Sequence, residues 1–318
     1  MNIDKPSLQP LVLKAAHVVE AEIARLAASL DGILGVSAVS LASGLKIGVK
    51  PEERFPMAST AKIPIAIAVL QAVDKHELTL DDLIAVRADS IVSSHVVAEH
   101  FIHDGVSLSI MNLLEVMLTT SDNTATDILL ELVGGPPTVT AMLKDIGIEG
   151  QTVDRNIAQL LRDYFGFPAG NFMKAVAVTT AGDPNVWKRQ KNLPFEQDLR
   201  DTTTPNAMAE LLAKLFRGEL LGEASTRRLI AVLERCRTGD TQLKGLLPRG
   251  TVVAHKTGTL GGTLNDVGVV TLPGGAQIVI AVFIKNSAAP TEDRARLIAE
   301  ASRLIRDFYF LCDGSGVG

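Results

Sequence analysis

The sequence predicts an α/β (α+β) fold in which a five-stranded antiparallel sheet, flanked by terminal helices, is interrupted by an inserted all-α domain. Three observations support this prediction. Apolar residues alternate near both ends of the chain, within residues 33–49 and 252–284, which is typical of half-buried strands. The middle of the chain has apolar residues at helical spacing instead. Both terminal segments have the pattern of amphipathic helices.

The first elements are a helix and a hairpin. Within the first thirty residues, apolar side chains recur every three or four positions, at Val12, Ala16, Val19, Ile23, Leu26 and Leu30. The alternating segment from Ile33 to Leu41 predicts a strand, and Ala42-Ser-Gly44 predicts a turn. The segment from Leu45 to Val49 is then the returning strand.

Helices follow in the middle of the chain. From Ile63 to Val73 nearly every residue is apolar, which indicates a buried central helix. Helical periodicity, interrupted by glycine, proline and short polar segments, predicts further helices at Asp81 to Ala88, Ser107 to Thr119, Thr124 to Val133 and Pro137 to Ile146. Ser107 or Ser109 is suited to cap the second of these, because a serine hydroxyl accepts a bond from a first-turn amide.

Three strands and a helix end the chain. The strands are predicted at Val252 to Ala254, Val267 to Leu272 and Gln277 to Ile284. The closing helix has one apolar face, formed by Leu297, Ile298, Ala301, Leu304, Ile305 and Phe308. We therefore predict two domains: an α/β domain of residues 1–55 and 238–318, and an all-helical domain of residues 56–237 with a long loop at 155–201.

Composition and charge narrow the range of functions. Of the 318 residues, 47% are apolar and 21% are charged, as in a globular protein. The net charge of −5, without long runs of like charge, favours neither nucleic acid nor a membrane as partner. Cys236 and Cys312 are interpreted as two separate thiols, because their spacing is not that of metal ligands. His100 and His103 are not interpreted as a metal site, because no further cluster of ligand residues lies near them in the sequence. We expect no metal and no other cofactor, and we leave the oligomeric state open.

Three short strings, in this order, predict an acyl-transfer site. Ser59-Thr-Ala-Lys62 places a hydroxyl and an amine on one face of a helix. Ser121-Asp-Asn123 offers a second hydroxyl and a carboxamide, and Lys256-Thr-Gly258 offers a cation and a hydroxyl beside a glycine. A single S-x-x-K string is weak evidence, since Ser43-Gly-Leu-Lys46 also matches it. The conjunction of all three strings carries the prediction.

The chemistry of these residues suggests a role for each. Ser59 is the candidate nucleophile, because a helix N-terminus favours developing negative charge. Lys62, one turn further into an apolar helix, would lose hydration, which lowers the pKa of its amine and lets it accept the Ser59 proton. Ser121 can relay a proton to the leaving amine, and Asn123 can hold Lys62 and a substrate amide in place.

The third string is suited to bind substrate. Lys256 is a fixed cation for a substrate carboxylate, helped by the hydroxyls of Thr257 and Thr259. Gly258 lies between these threonines, on a strand that can pair with a substrate amide as an added strand. Asp122 is expected to be structural, with its carboxylate bound to loop amides. In the alternative interpretation, the three strings form only a helix cap, a turn and a solvated strand lysine, which does not explain why they occur in this order.

Longer strings around these motifs resemble the class A β-lactamases and class A-like penicillin-binding proteins among the penicillin-recognising serine hydrolases. They are Arg54-Phe-Pro-Met-Ala-Ser-Thr-Ala-Lys62, Arg200-Asp-Thr-Thr-Thr-Pro205, and Val253-Ala-His-Lys-Thr-Gly-Thr259 followed by Asn265-Asp266. The resemblance extends over nearly the whole chain and implies the β-lactamase/D,D-peptidase-like fold. It also implies that the backbone N–H groups of Ser59 and Thr259 form the oxyanion hole.

The chain departs from the family pattern in its long loop. The resemblance implies that Arg155 and Asp201 close the neck of this loop with an ion pair, which we predict to be partly buried. Class A β-lactamases carry a glutamate and an asparagine on the loop, which position the water that frees the acyl-enzyme. Here these positions hold Ile157 and Leu161, and neither side chain can act as a base. Glu196 or Asp198 remains a candidate replacement.

The predicted function is therefore an active-site serine acyl hydrolase that is acylated by β-lactams at Ser59 and hydrolyses them slowly. A penicillin-binding protein or D,D-peptidase acting on a D-Ala-D-Ala-type peptide remains an alternative. So do an esterase or amidase on the same fold and a catalytically inactive sensor domain. The resemblance implies a periplasmic or secreted protein, but residues 1–30 show no secretory signal, which favours the cytoplasm if Met1 is the native start.

Overall fold

The computed structural model describes residues 9–94, 96–101, 103, 105–167 and 188–313, and its central element is a five-stranded antiparallel sheet. The strands of this sheet are β1 (Ile33–Ser40), β2 (Lys46–Val49), β7 (Val253–Leu260), β8 (Thr263–Thr271) and β9 (Gln277–Lys285). Their order in the sheet is β2-β1-β9-β8-β7. The predicted five-stranded sheet is confirmed.

The two ends of the chain meet in the middle of this sheet. Strand β1 pairs along its whole length with β9, from Ile33 opposite Lys285 to Ser40 opposite Ile278. Strand β9 is apolar on both faces because it is covered on both sides. Ile280 packs into the cluster under the terminal helices, whereas Phe283 packs into the cluster shared with the helical region.

The terminal helices cover one face of the sheet, as predicted. Helix α1 (Gln9–Ala27) packs against the last helix, Thr291–Asp313, which lies on β8 and β9. Their buried faces include Ile23 and Ile298. Within the described residues, no helix is long and apolar enough to cross a bilayer.

The other face carries the helical region, built around α2 (Lys62–Asp74). Every residue of α2 from Lys62 to Leu70 is buried, which agrees with the apolar character of this segment. Among the described residues, the other helices of the region are α3 (Val97–His100), α4 (Ile110–Thr119), α5 (Asn123–Leu132), α6 (Pro136–Asp145), α7 (Ile157–Phe165), α8 (Leu193–Gln197), α9 (Pro205–Phe216) and α10 (Glu223–Glu234). The terminal helix Thr291–Asp313 is α11.

One predicted helix is wrong. The segment Asp81 to Ala88 contains the short strand β4 (Leu83–Ala85), which pairs with β5 (Ser107–Ser109). Leu83 is exposed, so this segment has no continuous apolar face to support a helix. The helix predicted from Ser107 consequently begins at Ile110, and the Ser109 hydroxyl caps it by accepting a bond from the amide of Asn112 at 3.1 Å.

Other differences lie in strand lengths and in the long loop. Strand β7, predicted only to Ala254, continues to Leu260 through polar residues that hid the alternation. The loop begins with α7 and ends with α8, and its residues 168–187 lie outside the described part of the chain. A two-stranded ladder, β3 (Phe55–Pro56) with β6 (Thr202–Thr203), joins the segment before Ser59 to the end of this loop. The two-domain division stays a prediction.

Candidate active site

Ser59 lies in a short 3₁₀ turn, residues 58–61, that runs directly into α2. Ala58 begins this turn with φ of +46°, a conformation that costs a non-glycine residue energy. The buried Asn265 of β8 holds the turn in place, because its amide nitrogen donates to the carbonyl oxygens of Pro56 at 2.9 Å and Met57 at 3.1 Å. The turn that carries Ser59 is thus fixed to the sheet.

Four oxygen atoms surround the amine of Lys62, the first residue of α2. The Nζ atom lies 2.7 Å from the Ser121 carbonyl, 2.8 Å from Asn123 Oδ1, 3.0 Å from Ser121 Oγ and 3.1 Å from Ser59 Oγ. The first two oxygens can only accept hydrogen bonds. A neutral amine has two N–H groups and one lone pair, so its lone pair is left facing the two serine hydroxyls.

The environment of Lys62 favours this neutral form. Its side chain is fully buried. Burial lowers the pKa of the amine well below its ordinary value, and the nearby charge of Lys256 lowers it further, whereas Asp122 and Asp127 act in the opposite direction. Lys62 can therefore accept a proton from Ser59 Oγ over 3.1 Å.

Ser121 connects the two lysines. Its hydroxyl oxygen lies 3.0 Å from the Nζ atoms of both Lys62 and Lys256. Ser121 has φ of +64°, a left-handed conformation that a serine adopts only when its surroundings impose it. This strained turn points both the carbonyl and the hydroxyl of Ser121 at Lys62, which is the geometry of a proton relay.

The two residues after Ser121 shape this turn. Asp122 caps α5 by accepting from the amide of Ala125 at 2.9 Å, and its second oxygen accepts from Ser94 and from two loop amides. This is the structural role expected of Asp122. Asn123 donates from Nδ2 to the carbonyl of Ser93 at 2.7 Å, which fixes Oδ1 as the acceptor for Lys62.

Strand β7 borders the other side of the site. It is an edge strand of the sheet, so its outer edge is available to pair with a ligand. Lys256 is fully buried, and burial lowers the pKa of its amine to about 8. A Cβ atom on Gly258 would lie 2.5 Å from the Met57 carbonyl and 3.2 Å from the Ser59 nitrogen, so only glycine lets β7 approach Ser59 this closely.

The threonines of β7 flank Gly258. Thr257 is buried and its hydroxyl lies 2.6 Å from the hydroxyl of Thr238, which follows α10. Thr259 is half-buried and pairs with Leu264 of β8. Thr238 escaped the sequence analysis, because it belongs to no motif and reaches the site only through the packing of its loop.

The neck of the long loop is closed by an ion pair between Arg155 and Asp201. The Arg155 Nε atom donates to Asp201 Oδ2 at 2.6 Å, and both side chains are 5% exposed. Asp201 Oδ1 also accepts from the backbone amides of Asp154 and Arg155. Asp163 and Asp198 add further carboxylates to the same guanidinium.

The loop has apolar side chains at the two positions that were compared with the glutamate and the asparagine of class A β-lactamases. Ile157 is buried at the first position of α7, and Leu161 packs one turn later in a small cluster with Phe195. Of the two candidate replacements, Asp198 is paired with Arg200 at 2.7 Å, which lowers the pKa of its carboxyl. Glu196 accepts from Thr263 at the start of β8, and burial raises the pKa of its carboxyl.

A further carboxylate near the site was missed by the sequence analysis. Asp127 lies one turn after Asn123 on α5, and it accepts from the backbone amides of Ile157 at 2.7 Å and Ala158 at 3.0 Å. Burial raises the pKa of Asp127 to about 6. Its spacing of four residues from Asn123 was the available signal. Asp127 holds the first turn of α7 against the helical region.

Comparison with known proteins is consistent with this geometry. The profile of the β-lactamase enzyme family matches residues 18–309, which include every residue of the site. The chain belongs to this family. The β-lactamase L2 of Stenotrophomonas maltophilia is 34% identical over 292 residues, which cover 91% of this chain and 86% of that protein. The β-lactamase CTX-M-25 of Escherichia coli is 30% identical over 295 residues, 92% of this chain and 90% of the relative.

Solved structures agree with this assignment. An ancestral class A β-lactamase, denoted GNCA, superposes with a TM-score of 0.77 at 35% identity, covering 91% of this chain and 99% of that chain. The fold is therefore that of the class A β-lactamases, and the protein is a serine hydrolase of this family. The family explains why the three strings meet in one place.

Proposed function

We propose that this β-lactamase family member is acylated at Ser59 by β-lactams and hydrolyses them, with slow release of the acyl group. The observation that carries the proposal is the contact of 3.1 Å between Lys62 Nζ and Ser59 Oγ, made by an amine whose burial lowers its pKa well below the ordinary value. This arrangement activates a serine without a histidine.

Acylation follows from the hydrogen bonds of the site. Lys62 takes the proton of Ser59 as Oγ attacks the lactam carbonyl carbon, and the negative oxygen is bound by the N–H groups of Ser59 and Thr259. The protonated amine of Lys62 then donates to Ser121 Oγ. Ser121 passes its own proton to the lactam nitrogen as the C–N bond breaks, and Lys62 is neutral again.

Substrate binding uses the opposite side of the cleft. Penicillins and cephalosporins carry a carboxylate near the lactam nitrogen, and Lys256 is the buried cation that can pair with it. The hydroxyls of Thr257 and Thr259 lie on the same strand and can donate to this carboxylate. Asn123 Nδ2 keeps one N–H free after binding Ser93, and this group is suited to a substrate amide.

Slow deacylation follows from the loop. Attack of water on the acyl-enzyme needs a proton acceptor within hydrogen-bonding distance of that water. Ile157 offers none, Asp198 is already held by two arginines, and Glu196 accepts from Thr263 at the start of β8. Both oxygens of Asp127 accept backbone amides, which commits this carboxylate to the structure of α7. We therefore expect the acyl-enzyme to accumulate.

A D,D-peptidase, or an esterase or amidase, would use the same Ser59, Lys62 and Ser121. The buried cation of Lys256 favours a substrate that has a carboxylate, which fits β-lactams and D-Ala-D-Ala-type peptides better than simple esters. A slowly released β-lactam adduct distinguishes a hydrolase from a penicillin-binding protein, in which the adduct persists.

Time-resolved intact mass spectrometry tests the proposal. The wild type, mixed with a penicillin or a chromogenic cephalosporin, should gain the mass of one β-lactam and lose it slowly. Ser59→Ala should show no adduct, while the matched control Ser43→Ala, in the second S-x-x-K string, should behave as the wild type. Absence of an adduct and of turnover in the wild type would refute the assignment, and a permanent adduct would favour a penicillin-binding protein.

A further inference from the structure

A buried Cys-His-Asp cluster lies next to the carboxylate-binding strand. The imidazole Nδ1 atom of His255 lies 2.8 Å from Asp266 Oδ1, and both side chains are fully buried. Cys236, two residues after the end of α10, is 4% exposed, and the charge of His255 acts on its thiol. None of these three groups has a part in the acylation chemistry described above.

A short chain of hydroxyls connects this cluster to the substrate-binding strand. Cys236 Sγ lies 3.3 Å from Thr238 Oγ1, which lies 2.6 Å from Thr257 Oγ1. The loop is pressed onto β7 at this point, because a Cβ atom on Gly239 would lie 2.4 Å from the Thr257 side chain. Gly239 also has φ of +79°, so glycine is needed for both reasons.

The direction of the hydrogen bonds in this chain depends on the proton of Cys236. A separation of 2.6 Å between two hydroxyl oxygens requires one proton between them. A thiolate can only accept, so the Thr238 proton turns to sulfur, and Thr257 must donate to Thr238. A neutral thiol can donate to the Thr238 hydroxyl or to the Thr238 carbonyl oxygen at 3.7 Å, and in either case the Thr238 hydroxyl can donate to Thr257, which leaves the Thr257 proton free for substrate.

We propose that Cys236 is a positioning residue of the carboxylate subsite, whose protonation state sets whether the Thr257 hydroxyl donates to substrate. The neutral thiol gives a donor beside Lys256. The thiolate turns the hydroxyl inward and presents oxygen lone pairs to the substrate carboxylate. This inference rests on the proposed function, since it needs a substrate that carries a carboxylate.

The charges around Cys236 place this change near neutral pH. Burial would raise the pKa of the thiol, but the nearby charge of His255, together with the charge of Lys256, outweighs it and lowers the pKa to about 7. Burial would lower the pKa of His255, but Asp266 and then Cys236 raise it to about 9, so the imidazole is protonated near neutral pH. The other charged groups beside Cys236 are Lys244, whose Nζ donates to the Cys236 carbonyl, Arg235 of α10 with Glu115 of α4, and Arg237.

The test is the pH dependence of acylation by a penicillin, measured by stopped flow from pH about 5.5 to about 9.5. The half-saturating penicillin concentration of the wild type should rise about tenfold around pH 7, the loss expected for one hydrogen bond to a charged group. The limiting acylation rate constant should not show this step. Above pH 8 a second rise follows as Lys256 loses its proton.

Two variants and one ligand separate a positioning role from a purely structural one. Cys236→Ser keeps a hydrogen-bonding group that does not ionise in this range, so the step near pH 7 should disappear while the later rise remains. Thr238→Val interrupts the chain of hydroxyls and should also remove the step. The methyl ester of the same penicillin lacks the carboxylate, so its half-saturating concentration should show neither rise.

The possible results are distinct. If the wild type and Cys236→Ser have superimposable profiles, or if the ester retains the step, Cys236 does not position Thr257 and the inference is wrong. If the wild type is not acylated at any pH, both the proposed function and this inference are wrong. The ionisation of Cys236 can be followed directly by the ultraviolet absorbance of the thiolate in Cys312→Ser, in which Cys236 is the remaining cysteine. The double variant Cys236→Ser/Cys312→Ser gives the background. A thiol that remains neutral up to pH about 9 would also overturn the inference.

Discussion

Replacing Gly258 by alanine tests how closely β7 must approach the turn that carries Ser59. The added Cβ atom would lie 2.5 Å from the Met57 carbonyl oxygen, whereas ordinary Cβ contacts begin at 3.4 Å. The strand and the turn must therefore separate by about 1 Å at this point. Both partners are backbone, and Asn265 ties the turn to the adjacent strand β8, so no side chain can move aside to relieve the contact.

The expected cost is larger for catalysis than for folding. Overpacking of this kind typically destabilises a protein by about 1–3 kcal/mol, which a folded domain tolerates. A displacement of about 1 Å between reacting groups, in contrast, can lower a rate about 100-fold. We expect Gly258→Ala to fold, with an acylation rate constant about 100-fold below that of the wild type.

The assay is stopped-flow acylation by a chromogenic cephalosporin, with thermal unfolding measured on the same sample. Gly32→Ala is the matched control, because its Cβ atom would lie 2.8 Å from the Lys285 carbonyl, a backbone clash before the start of β1. It should lose stability and keep the acylation rate. The reasoning is refuted if the acylation rate constant of Gly258→Ala is within about threefold of the wild-type value, or if the rate constant falls by the same factor in both variants.

Three further predictions concern the loop and the two lysines. Arg155→Gln leaves Asp201 buried without its cation and should lower the free energy of unfolding by about 3–5 kcal/mol in urea titration; a loss below about 1 kcal/mol would contradict the buried ion pair. Lys256 is protonated only below its pKa of about 8, so the half-saturating concentration of β-lactams that carry a carboxylate should rise as the pH passes 8. The limiting acylation rate needs neutral Lys62 and should not fall in this range. A half-saturating concentration that does not change with pH would argue against Lys256 as the cation. Ile157→Glu should shorten the lifetime of the acyl-enzyme in intact mass spectrometry, and an unchanged lifetime would mean that α7 holds the new carboxylate out of reach.

The fold was largely predictable because its main elements have clear periodicity. Strand β9 and helix α2 are long apolar segments that fit one element each. Strand β4 was mistaken for a helix because three residues carry too little pattern, and its pairing with β5 depends on residues more than twenty positions away. Strand β7 was predicted too short, because its second half carries the polar residues of the site.

The site was predictable to the extent that it is written in short strings. Ser59 and Lys62 are one helical turn apart, so their proximity is a local property. Thr238 and Asp127, in contrast, reach the site through the packing of a loop and of α5. His255 was visible in the sequence beside Lys256, but only the pairing of β7 with β8 shows that it lies next to Asp266, which is eleven residues away in the chain.

Pairing of β1 with β9 has a consequence for the order in which the protein can be completed during synthesis. Residues near 33 must wait for partners near 285, so most of the chain is made before the middle of the sheet can close. Contacts between residues so distant in sequence slow folding, because a long segment must be ordered before they form. Asn265 and Lys256 also emerge late. Until then, the turn carrying Ser59 lacks its anchor on β8, and the nascent chain carries a serine without the surroundings that make it reactive.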